Sequence, residues 1–130
     1  MKTENVSLHL HEETELVLNC TYHKESKEDI GKRGIKWQKR IGDIFKDVAV
    51  FSPPGGQHPF IEREMKSIYS NRTELIAPAN GSFSAVLILK DLVCDDAGKY
   101  QCCVDFFFND GTYEATILST VAFKGRIMCS

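Results

Sequence analysis

Five cysteines stand in this chain of 130 residues: Cys20, Cys94, Cys102, Cys103 and Cys129. A pair of thiols can close a disulfide, a cluster of thiolates can hold zinc, and a lone activated thiol can attack an electrophile. Zinc would need a C-x-x-C pair or suitably spaced histidines, and the sequence has neither. His9 and His11 lie two residues apart, so on a strand they share a face, but no third ligand accompanies them and they read as inert surface. There is no G-x-S-x-G, no H-E-x-x-H and no glycine-rich phosphate loop. The chain is therefore expected not to be an enzyme and to need no cofactor, metal or small-molecule substrate. Five cysteines in so small a chain point instead to an oxidising compartment and a disulfide framework.

Asparagine chemistry agrees. Asn5-Val6-Ser7, Asn19-Cys20-Thr21, Asn71-Arg72-Thr73 and Asn80-Gly81-Ser82 all satisfy N-x-S/T without proline, so Asn5, Asn19, Asn71 and Asn80 are candidate glycosylation sites. Hydrophobic residues are 42% and charged residues 26% of the chain, enough for one core and a soluble surface. The net charge of −2 leaves no electrostatic footprint for nucleic acid or an anionic membrane.

The longest apolar runs, Ala85 to Leu89 and Phe106 to Phe108, are strand-sized and well short of the roughly 18 residues of a membrane span. Met1 to Asn5 has no apolar core of a leader. The expectation is an extracellular, cell-surface domain over residues 1–124, with 125–130 as a tail. The parent would be a longer single-pass membrane protein with a leader before this stretch and a stalk, second domain or anchor after it.

Period-two alternation between turn residues recurs along the chain, and helix signals are scarce. Val6 to Leu10 reads as a first strand. Glu15 to Tyr22 reads as a second, with Leu16, Leu18 and Cys20 on one face. The charged stretch His23 to Arg33 reads as a solvated loop. Gly34 to Arg40 alternates again, with Ile35 and Trp37 inward, and Ile44 to Phe51 follows. Pro53, Pro54, Gly55 and Gly56 break the pattern. From there to about Ser70 the sequence allows a short edge strand or one helical turn. Arg72 to Ala77 and Phe83 to Leu89 are two strands around an Asn80-Gly81 turn signal. Gly98 to Phe108 and Tyr113 to Phe123 form a last hairpin that turns at Asn109-Asp110-Gly111. About nine short strands make an all-β sandwich of two sheets the economical arrangement.

Cys20, Trp37 seventeen residues later, and the string DDAGKYQC from Asp95 to Cys102 resemble an immunoglobulin V domain, over about residues 5–123. The resemblance implies a Greek-key sandwich of two sheets. It implies a Cys20–Cys102 disulfide between sheets about 10 Å apart, with Trp37 packed on the sulfurs. Tyr100 would bond backbone at the strand corner, and Asp96 would pair with Arg72. Asp95 and Asp96 are then corner residues, not a general acid and base. The motifs IKWQKR (35–40), YSNRTEL (69–75) and PANGSFSAVLILKDL (78–92) resemble butyrophilins and related T-cell co-stimulatory ligands. VAVFSPPGG (48–56) and FFNDGTY (107–113) look instead like nectins and poliovirus-receptor-type proteins.

Both groups bind through the outer face of the sheet built from the third, fourth, eighth and ninth strands. With Trp37, Cys102 and Val104 inward, alternation turns Lys36, Gln38, Gln101, Cys103, Asp105 and Phe107 outward. The hairpin tip, from Phe108 through Asn109 and Asp110 to Tyr113, projects from the end of the same sheet. Phe51-Ser52-Pro53 is a further candidate at its edge. Antiparallel pairing about the Asp110-Gly111 turn sets residue 94 opposite about residue 127, so a second disulfide, Cys94–Cys129, is geometrically reasonable. Cys103 is left as a partly covered free thiol or an interchain one.

The expected function is an immune ligand domain, co-stimulatory or co-inhibitory. It would recognise another immunoglobulin-superfamily protein on a cell surface through that face and hairpin. The alternatives are a nectin-like adhesion receptor, including a homodimer, and a structural spacer.

Overall fold

The computed structural model describes residues 2–11, 15–79, 81 and 83–123, with side chains from residue 15 to residue 122 among them. Nine strands run in chain order: β1 (Lys2–His11), β2 (Leu16–Thr21), β3 (Glu28–Ile41), β4 (Ile44–Phe51), β5 (Phe60–Ile61), β6 (Thr73–Ile76), β7 (Ser84–Leu89), β8 (Gly98–Phe108) and β9 (Gly111–Phe123). They form a front sheet of order β1-β9-β8-β3-β4-β5 and a back sheet of order β2-β7-β6. The β1–β9 pair is parallel, and the other pairs are antiparallel.

Alternation decides which face meets the core. In β2, Leu16, Leu18 and Cys20 are buried while Val17, Asn19 and Thr21 are exposed. In β8, Tyr100, Cys102, Val104 and Phe106 point into the same core. Apolar burial at about 25 cal/mol per Å² is the main force holding the two sheets together. Cys20 and Cys102 close a disulfide with Cα atoms 6.2 Å apart. Trp37 is paired in register with Cys102, and its indole N–H donates to the carbonyl of Ala85 at 3.1 Å. Ala85 is itself the register partner of Cys20. A covalent bond and a buried hydrogen bond thus join the sheets at one level.

The lower corner is tied by charge. Arg72, just before β6, grips Asp96 with two hydrogen bonds of 2.7 and 2.6 Å. Asp96 also accepts the Val93 amide at 2.9 Å, and its carbonyl accepts the Tyr100 hydroxyl at 2.7 Å. Burial pushes the Tyr100 phenol well above its ordinary value. Lys39 is buried too, its ammonium over the Tyr100 ring at 5.2 Å and bonded to the Asp95 carbonyl. Burial lowers its pKa, opposed by the charges of Asp96 and Asp95.

These contacts complete an immunoglobulin V-type sandwich. Two sequence expectations need correction or completion. The charged run His23 to Arg33 is not all loop, because β3 begins at Glu28, which pairs with Phe108. The Glu28 carboxylate is buried because it accepts the Tyr22 hydroxyl at 2.8 Å and the Glu25 amide at 3.0 Å. Between Ile30 and Ile35 the β3–β8 register shifts. Gly34 sits in that bulge, where a Cβ would stand 2.9 Å from the Asp105 carbonyl and from Gly31 backbone. The ambiguous stretch after the prolines holds both forms that the sequence allowed: the edge strand β5, then the helical turn α1 (Lys66–Tyr69) flanked by 3-10 turns.

Candidate protein-binding face

The outer face of the front sheet is a lattice of half-buried polar side chains. The Gln101 amide donates to Gln38 at 2.7 Å, and the Gln38 amide donates to Asp47 at 2.7 Å. Lys36 reaches the other oxygen of Asp47 at 3.7 Å. Register brings Lys36 beside Cys103, Cys103 beside Thr116, and Asp105 beside Glu114. Lys36, Gln38, Gln101, Asp105 and Phe107 all lie in the outward phase that alternation assigns them.

Cys103 has the outward phase but not the expected exposure. It is a free thiol, only 4% accessible, under its cross-strand neighbours. Its S–H donates to Asp105 at 3.9 Å. Burial drives its pKa up strongly, and Glu114 and then Asp105 add to the rise, against the opposing charge of Lys36. Burial raises the Asp105 carboxyl as well. Cys103, Asp105 and Glu114 form the one group among the described residues with three metal-capable side chains, their donor atoms within 4.8 Å of one another. Their own hydrogen bonding and the nearby Lys36 ammonium account for that proximity.

The hairpin sorts its aromatics by phase. Phe107 pairs with Thr112 on the outer face and is 47% exposed. Phe106 pairs with Tyr113 on the inner phase and is buried, as alternation requires. The Tyr113 ring stacks on Phe106 at 5.6 Å and folds over Gly111, where a Cβ would meet it at 2.7 Å. Tyr113 therefore caps the end of the sandwich, still 41% exposed, rather than joining Phe107 on the sheet face. Phe108 pairs with Gly111 and packs against the core, so it too leaves the outer face. Asn109, at φ 55°, and Asp110 make the exposed tip.

The Phe51-Ser52-Pro53 expectation changes most. Phe51 is fully buried, which removes it from any interface, and Ser52 is nearly buried at the wall of the neighbouring cleft. Pro53 instead lines an open cleft of about 950 Å³ at the hairpin end, together with Ile30, Lys32, Arg33 and residues 54–57. The Arg33 guanidinium lies over the Phe60 ring at 5.6 Å.

Sequence reasoning missed Asp47, Glu114 and Thr116. The phase of β9 follows from the Phe108–Gly111 pair, so a two-residue turn at Asn109-Asp110 was the signal that would have found the last two.

Among the other expected sites, Asn19 is exposed on β2 and Asn71 is exposed in the turn before β6, both away from this face. The side chains of Asn5, His9 and His11, and all of Asn80, lie outside the described residues. Cys94 is disulfide-bonded, while Cys129 lies outside the described residues. No helix among the described residues is long and apolar enough to cross a membrane.

No family model and no curated protein matches this chain. Solved structures do. A structure of murine CRIg superposes with a TM-score of 0.67 at 16% identity, covering 92% of each chain. A chain from "Structural basis of T cell specificity and activation by the bacterial superantigen toxic shock syndrome toxin-1" superposes with a TM-score of 0.58 at 13% identity, covering 90% of this chain and 92% of that one. At such identities these likenesses establish the fold alone.

Proposed function

We propose that this chain is the extracellular binding domain of an immune cell-surface protein, docking a receptor on another cell through the outer face of its front sheet beside the Phe107 hairpin. The observation that carries the reading is Phe107: a large aromatic ring, 47% exposed, on the same face of β8 as Asp105 and the hydrogen-bonded Gln101–Gln38–Asp47 row. An exposed aromatic anchor on a face of mutually bonded polar side chains is a usual composition of a protein interface. The fold is a kind that usually serves binding rather than catalysis, which agrees with a non-enzymatic role. The sequence motifs favour the co-stimulatory or co-inhibitory ligand type. A binding screen of the domain against cell-surface ectodomains, with Phe107→Ala as control, tests the proposal.

A further inference from the structure

The back sheet has an outer face that the proposed docking does not use. Val17 of β2 is paired with Ile88 of β7, and Val86 of β7 is paired with Ile76 of β6. All four share the phase opposite to the core-facing Leu18, Ala85 and Leu87; Val17 and Ile76 are 46% and 47% exposed, Val86 is half-buried and Ile88 is already covered at 9%. Two exposed apolar side chains with the half-buried Val86 between their rows leave a small surface for a cover. Such a patch is too small for a protein partner, which occupies roughly 20–30 residues a side. Glu74 and Lys90, paired at 3.6 Å, bound the patch with opposite charges and favour neither sign of ligand.

In the same row as Val86 and Ile76 stands Asn19, exposed on β2 and directly paired with Val86. It heads the sequon Asn19-Cys20-Thr21. Strands lie about 4.8 Å apart, so Asn19 is about 10 Å from Ile76 across the sheet. We infer that Asn19 carries an N-linked glycan and that its first sugar residues lie across Val86, Ile76 and Val17. N-acetylglucosamine suits this surface, with C–H groups on a ring face and an acetamide methyl to set on apolar side chains and hydroxyls left for water. The Asn19 carboxamide nitrogen displaces the pyrophosphate at C1 of a lipid-pyrophosphate-linked oligosaccharide. The N–C1 bond forms, the C1–O bond breaks, the nitrogen loses a proton, and the lipid pyrophosphate leaves. The glycan keeps the back sheet from self-association and leaves the front sheet as the free face. The inference rests on the secretory part of the proposed function.

The test is expression of the chain in glycosylating secretory cells as wild type, Asn19→Gln, Thr21→Ala and Asn71→Gln. Peptide mapping after enzymatic deglycosylation in heavy-oxygen water reads each site. The expected result is an occupied Asn19. Both variants that remove its sequon should bind an apolar-surface dye several-fold more strongly and self-associate with concentration, whereas Asn71→Gln should not. Adding Val17→Thr and Ile76→Thr to Asn19→Gln should restore the monomer. A bare Asn19 beside a glycosylated Asn71 overturns the inference and leaves the secretory reading standing. An occupied Asn19 whose removal changes neither dye binding nor association also overturns it. If every sequon is bare, the inference and the secretory reading fail together.

Discussion

Phe106 and Phe107 are neighbours in β8 whose side chains meet opposite fates: Phe106 is buried beneath Tyr113, and Phe107 stands 47% exposed on the outer sheet face. The pleat alone produces the difference, because successive strand residues point to opposite sides of a sheet. Tyr113 falls on the Phe106 side because the turn closes with Phe108 opposite Gly111.

Stability should separate the three aromatics. Phe106→Ala removes a core ring and is expected to cost about 3–5 kcal/mol. Tyr113→Ala loses a stacked pair worth about 0.5–1.5 kcal/mol beyond its buried area. Phe107→Ala should stay within about 0.5 kcal/mol of wild type. Urea denaturation of the three variants measures the order, and a Phe107 loss as large as that of Phe106 would place Phe107 in the core.

The Arg72–Asp96 pair should behave as a buried ion pair. The Asp96 side chain is 2% accessible and receives two bonds from Arg72 and one from the Val93 amide. Asp96→Ala leaves the guanidinium without its carboxylate and is expected to cost about 3–5 kcal/mol. A thermal melt of the variant checks this, and an unchanged midpoint would contradict the corner described above.

Disulfide mapping under non-reducing conditions should recover Cys20–Cys102, with Cys103 alone alkylated after unfolding. We propose Cys94–Cys129 as the second bridge, in keeping with the bonded state of Cys94. Cross-linking a loop of about 80 residues contributes roughly 4 kcal/mol in the chain-entropy description. Cys102→Ala should therefore lower the melting temperature markedly.

The Cys103 thiol should resist alkylation in the native state at pH 8 and react promptly in denaturant, because it is covered and its pKa is raised. The sign of the linkage follows. The unfolded thiol ionises near about pH 8.5, while the folded one keeps its proton to higher pH. Above that point the folded state binds more protons than the unfolded one, so Cys103 makes stability fall as pH rises and contributes no such loss below it. Cys103→Val should flatten that alkaline decline in a pH series of melts. An equal slope in both proteins would contradict it.

Much of this was legible in the residues. The resemblance to an immunoglobulin V domain implied the Cys20–Cys102 bridge, the Arg72–Asp96 pair and the Tyr100 corner bond, and the structure has all three, with Trp37 buried in register with Cys102. Alternation placed Lys36, Gln38, Gln101, Asp105 and Phe107 outward because a strand has only two faces. It failed where exposure depends on neighbours rather than on phase. Cys103 is covered by residues from two other strands, which no local pattern contains. Glu28 reads as solvated until Tyr22 and the Glu25 amide are seen to satisfy it. Tyr113 could be phased only once the turn length was known, and Phe51 read as part of an edge tripeptide although it closes β4 with its side chain fully buried.

The central claim is that a protein partner docks on the front sheet at Phe107. It is tested most directly by measuring the affinity of the domain for a partner found in the ectodomain screen, for wild type, Phe107→Ala and Ile44→Ala. Ile44 is exposed at the remote β3–β4 turn and serves as the control. An interface anchor is worth about 2 kcal/mol or more, close to thirtyfold in Kd. The account predicts that loss for Phe107→Ala, at an unchanged melting temperature, and wild-type affinity for Ile44→Ala. Undiminished binding by a folded Phe107→Ala domain would contradict it.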